Sequence, residues 1–107
     1  MKKEIKQEKV FKNFQEFYPF YLSEHSNITN RRLHYIGTTL SILLQLIIIF
    51  LGHYQFIPFV FLSGYIFPWI GHFFFEKNKP ASFKYPVLSL MGDIKMWYQM
   101  STNQIKW

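Results

Sequence analysis

The sequence predicts an all-α membrane protein: a two-span transmembrane helical hairpin with an N-terminal amphipathic helix and a short C-terminal helix. Three observations predict it. Residues 33–75 run 43 positions without an Asp, Glu, Lys or Arg, as a bilayer interior requires, because an ionised side chain at mid-membrane costs several kcal/mol. That run accommodates two helices of about 20 residues, each reaching roughly 30 Å, with a short turn between them. Of the twelve Lys and Arg, seven precede the run, five follow it and none lies within it. This is the positive-inside pattern of a hairpin with both ends on the cytoplasmic side. A soluble helical bundle is the competing arrangement, but it needs a charged face that neither apolar helix has.

The elements follow in order, within one domain spanning residues 1–107. Residues 4–22 read as a basic amphipathic helix, with Val10, Phe14, Phe17 and Tyr21 on one side and Lys6, Lys9 and Lys12 on the other. Pro19 should kink or end it. The helix suits either the membrane interface or packing on the rest of the protein. Residues 23–30 carry turn and cap residues, and Asn27 or Thr29 is placed to cap the next helix. The first span is expected over residues 31–51. Residues 52–55 form a tight connection, and the second span covers residues 56–75, with Pro58 tolerated in its first turn and Pro68 kinking its interior. After a polar exit at residues 76–80, Pro86 starts a last helix over residues 86–100, weakened centrally by Gly92. Gly64 and Gly71 suit close helix contact.

Composition narrows the chemistry. With no cysteine, disulfides, iron–sulfur clusters, thiolate zinc sites and cysteine nucleophiles are excluded. The formal charge of +6 is explained by topology rather than by nucleic acid, since no basic stripe marks a recognition helix. No cleavable signal peptide is expected, because the first twelve residues alternate Lys with Glu and Gln. Nucleophile elbows and phosphate-cradling glycine loops are missing.

What remains is histidine. Closing the hairpin brings His34, at the start of the first span, to the same membrane face as His72, near the end of the second. His53 lies in the opposite turn, nineteen residues from either, or about 28 Å along a helix, and reads as structural. His25 is nine residues before His34, about 13 Å on a continuous helix, so the polar turn must fold it back for the two to share a site. Glu76, four residues after His72, is on the same helical face. Three imidazoles and a carboxylate suit iron, zinc or manganese. The alternative is a set of interfacial histidines hydrogen-bonded to backbone, with Glu76 paired to Arg31, Arg32 or Lys77.

The segment Phe17-Tyr18-Pro19-Phe20-Tyr21, then His25, Asn27, Asn30 and His34 at their spacing, then Gly71-His72, Glu76-Lys77 and Pro80, resembles a family of small membrane proteins first described only as a domain of unknown function. Its fungal member is an Fe(II)-dependent 2-hydroxy fatty acid dioxygenase. The resemblance covers about residues 14–95. It implies an Fe(2+) cofactor, O₂ and a fatty-acid or related lipid substrate shortened by one carbon. It implies His25, His34 and His72 as metal ligands, with Glu76 a further ligand or a support for one, and Asn27 and Asn30 beside them. Arg31 and Arg32 are candidates for binding the substrate carboxylate, and Phe73, Phe74 and Phe75 for lining an acyl path. The family's fungal type carries further hydrophobic segments, so this compact, bacterial-looking form would lack some pocket walls or borrow them from a second copy in a homo-oligomer. The expected setting is an integral membrane protein of the bacterial inner membrane or, in a eukaryote, the endoplasmic reticulum. A non-catalytic membrane scaffold is the alternative function.

Overall fold

The computed structural model describes residues 11–107, and no strand occurs among them. Helix α1 is Phe14–Ser23, α2 Ile28–Leu51, α3 Ile57–Ser63, α4 Ile66–Ile70 and α5 Pro86–Ser101, with a π-helical turn at Gly71–Glu76 between α4 and the exit loop. Two stretches, Ile28–Leu51 and Tyr54–Glu76, are long and apolar enough to cross a membrane, and only 11% and 17% of their most apolar windows are buried. Core helices of a soluble protein would be covered; these leave Leu46, Phe50, Phe59 and Leu62 more than half exposed.

The first helix differs from its expected bounds. Residues 4–10 lie outside the described residues, residues 11–13 are not helical, and the Asn13 side chain caps α1 by accepting from the Glu16 N–H. Pro19 does not end the helix, which continues to Ser23. Phe17, Tyr18 and Tyr21 are buried with Met96 and Met100 of α5, so the apolar side of α1 packs on the protein. Gly92 explains itself here: a Cβ at that position would lie 2.8 Å from the Tyr21 ring. The glycine that weakens α5 locally is what lets α1 approach it.

Asn27 caps α2, its side-chain oxygen accepting from the N–H groups of Thr29 and Asn30. The helix ends at Gly52, whose φ of 77° is left-handed, and the His53 N–H returns to the Ile48 carbonyl at 3.0 Å, closing the terminal carbonyls in a Schellman arrangement. The second apolar stretch is broken rather than merely kinked. Pro68 has no N–H for the Gly64 carbonyl, and helical structure is interrupted between Ser63 and Ile66. The freed carbonyl faces α2 at Gly37, where a Cβ would lie 2.9 Å from it. Beyond α4 the backbone widens into the π turn, which stops at Lys77 with φ 63°. A short 3₁₀ turn, Ala81–Phe83, then leads into α5, which begins at Pro86 and ends at Ser101. Helix α5 also docks on α2, with Trp97 Nε1–H donating to Thr39 Oγ1 at 2.8 Å.

Candidate metal centre

Three elements deliver three imidazoles to one point. His25 follows the end of α1, His34 lies two turns into α2, and His72 sits in the π turn. They are 1%, 3% and 1% exposed, a degree of burial that polar rings accept only when their nitrogens are engaged. His25 Nε2 is 2.9 Å from His34 Nε2 and 3.0 Å from His72 Nε2, and the three potential ligand atoms lie within 4.8 Å of one another.

The other ring nitrogens decide what those atoms are. His25 Nδ1 is 2.6 Å from the Tyr21 carbonyl oxygen, His34 Nδ1 is 3.0 Å from the Asn30 carbonyl oxygen and His72 Nδ1 is 2.6 Å from Asn78 Oδ1. Asn78 is oriented by its own amide, because Nδ2 donates to the Glu24 carbonyl and to Glu24 Oε1, both at 3.2 Å. All three partners are oxygens that only accept, so each Nδ1 carries the proton and each Nε2 presents a lone pair. Burial, and next the neighbouring His72, lower the pKa of His25 to about 3, so a shared proton does not fill the gap at neutral pH. Three converging lone pairs repel one another unless a cation lies between them. A metal ion fits this arrangement. Three neutral imidazoles whose free nitrogens all lie within 4.8 Å are a donor set that first-row divalent metals accept.

Glu76 stands with the supports. Its Oε1 accepts from the Asn27 N–H at 2.8 Å and from Asn30 Nδ2 at 3.1 Å, and its Oε2 accepts from Ser26 Oγ at 2.6 Å. It thus ties the π turn to the loop that carries His25. Asn30 is fully buried and packs against Gly71, where a Cβ would lie 2.1 Å from Asn30 Oδ1. Arg31 Nη1 holds the carbonyls of His25 and Ser26 at 3.4 and 3.3 Å, which braces the folded-back turn. Arg32 donates to the Trp107 carbonyl oxygen at 3.1 Å and lies over that indole. Neither arginine lines the cavity at the histidines. His53 is exposed in the far turn, against Phe56. Phe73, Phe74 and Phe75 point outward and line no cavity beside the site.

Sequence reasoning missed Asn78, Tyr21, Trp69, Ser89 and Asp93. Read as an α-helix, the segment after His72 puts Glu76 beside the imidazole. The wider π turn instead pairs the Asn78 N–H with the His72 carbonyl at 3.0 Å and brings the Asn78 side chain to the ring. Above the histidines is a cavity of about 10 Å³, room for roughly one water. Its walls include Trp69 and Ser89, whose Nε1 and Oγ are buried without a hydrogen-bond partner. Asp93 closes one side, accepting from the Tyr21 hydroxyl, and its burial raises the carboxyl pKa to about 7.

Fold and site together define a small, mostly helical protein with a buried three-histidine centre at one end of two long apolar helices. Residues 11–105 match the family model described as 2-hydroxy-palmitic acid dioxygenase Mpo1-like, and the chain belongs to the Mpo1-like family. No match was found among curated proteins or among solved structures.

Proposed function

We propose that this chain is an integral membrane Fe(II)-dependent dioxygenase that converts a 2-hydroxy fatty acid and O₂ into the fatty acid one carbon shorter, CO₂ and water. The observation that carries the metal is the set of three Nε2 lone pairs, each fixed by an Nδ1–H bonded to an acceptor. Family membership carries the reaction class. Iron is preferred to zinc because reduction of O₂ needs a metal that can release electrons, which d¹⁰ zinc cannot do. When bound, Fe(II) would pass electrons from the hydroxy acid, the net reductant, to O₂ and would offer open positions for the substrate's hydroxyl and carboxylate.

His25, His34 and His72 hold the metal, and Tyr21, Asn30 and Asn78 keep their rings in the required tautomer. Asn27, Asn30, Ser26 and Glu76 lock together the turns bearing His25 and His72. Trp69 Nε1–H and Ser89 Oγ–H are free to donate to oxygens of the bound acid, which orients it without neutralising it. Arg31 and Arg32 hold the turn and the C-terminal segment, and their basic charge faces the anionic lipid surface. Both apolar stretches cross the bilayer, with residues 52–55 on the far side and the histidine end cytoplasmic, following the partition of Lys and Arg.

The test is metal retention by protein purified without a polyhistidine tag. One first-row metal per chain is expected, lost in His34→Ala and His72→Ala and kept in His53→Ala. Metal-free wild-type protein after supplementation with Fe(II) under anaerobic conditions would refute the site.

A further inference from the structure

A second cavity adjoins the first. It is an apolar groove of about 410 Å³ between α2, the α3–α4 break and α5. Its walls and those of the histidine cavity share Tyr65, Pro68 and Asp93, so the two spaces are separated by side chains rather than by a helix. From this threshold the groove follows one stripe of α2, through Ser41, Gln45 and Ile49. The spacing of four keeps those residues on one face. From His34 to Ile49 is fifteen residues, or about 22 Å along α2, the reach of an extended long-chain acyl group. The lining is graded. Asp93 and Tyr65 stand at the threshold, and Leu46, Ile49 and Ile57 give the far end its aliphatic wall, where the Gln45 amide is turned to the Ile57 carbonyl oxygen at 3.5 Å. A slot with one polar, metal-facing end and a long apolar remainder matches a molecule with the same division.

Resting on the function proposed above, we infer that this groove seats the acyl chain of the substrate, its head passing the Asp93–Tyr65 threshold to the histidines, and that Leu46 and Ile49 set the chain length accepted. The glycine at the break lets this wall lie close against α2, where a Cβ on Gly64 would stand 3.0 Å from the Ser41 Cβ. Asp93 acts at the threshold as a positioning residue, held by the Tyr21 hydroxyl.

The test is photo-crosslinking of metal-free protein in detergent with 2-hydroxypalmitic acid carrying a diazirine either near the carboxylate or near the terminal methyl. The methyl-end probe should label peptides containing Leu46, Ile49 or Ile57, and the head-end probe those containing Tyr65, Asp93 or Ile94. Leu46→Trp should cut methyl-end labelling at least tenfold and move the preferred substrate toward shorter chains. Leu62→Trp, at a position as exposed as Leu46 but lining neither cavity, should do neither. Labelling spread over Phe59, Leu62 and Phe74, and unchanged in Leu46→Trp, would mean that the groove holds only bulk lipid and would overturn the inference. Ordered labelling with no O₂ consumption would uphold the groove and sink the dioxygenase reading. O₂ consumption with a chain-length preference indifferent to Leu46→Trp would do the reverse.

Discussion

At the scale of single residues, the centre depends on groups that never touch the metal. Asn78 holds His72 with its oxygen and is itself held by Glu24. Removing such a partner frees the imidazole to rotate and to place its proton on Nε2, where a ligand lone pair is needed. Partners of this kind are worth about 10–100-fold in metal affinity. Asn78→Ala should therefore weaken Fe(II) binding by that factor in a competition titration with a chelator, with helix content unchanged. Affinity equal to wild type would show that another group fixes the tautomer. His25, His34 and His72 were legible as a group in the sequence, because hairpin closure brings two of them to one face and a motif includes the third. Asn78 was not, because an α-helical reading of residues 71–76 points to Glu76 instead, and nothing in the residue types announces a π turn.

At the scale of elements, α5 does more than close the chain. Its Gly92 admits the Tyr21 ring and its Asp93 takes the Tyr21 hydroxyl, so α5 also positions the α1 carbonyl that orients His25. Burial raises Asp93 to about 7 from an ordinary value of 3.8. The folded state therefore keeps a proton that the unfolded chain has released at intermediate pH. The stabilising contribution is full below the unfolded pKa and is lost as pH rises through about 7. The shift of His25, down to about 3, has the opposite sign: it lowers stability as pH falls below 6.5, and it acts equally in both proteins compared. Metal-free Asp93→Asn should thus gain stability relative to wild type as pH is raised from about 4 to 8 in thermal unfolding. A constant difference across that range would mean that Asp93 is ionised throughout. The existence of α5 and nearly its full extent followed from Pro86 and the apolar spacing after it. Its partnership with α1 did not, since a central glycine reads as weakness until the ring packed on it is seen.

At the scale of the whole molecule, two apolar stretches joined by a glycine-terminated turn place every described histidine but His53 at the polar end. The absence of charge over residues 33–75 made the two stretches legible. The break at Gly64 was not, because it needs both a proline and a neighbouring helix close enough to receive the freed carbonyl. Topology has a direct check. The chain has no cysteine, so Tyr54→Cys supplies one thiol, which an impermeant reagent should label only from the non-cytoplasmic side; labelling from the cytoplasm alone would invert or remove the hairpin. O₂ uptake is the readout that ties the histidine centre to the chemistry. Tag-free protein loaded anaerobically with one Fe(II) per chain should consume O₂ when given 2-hydroxypalmitic acid, release the acid one carbon shorter, and remain inactive with palmitic acid. Iron-loaded protein that consumes no O₂ with 2-hydroxy acids of any chain length would show that the histidine centre is not a dioxygenase site.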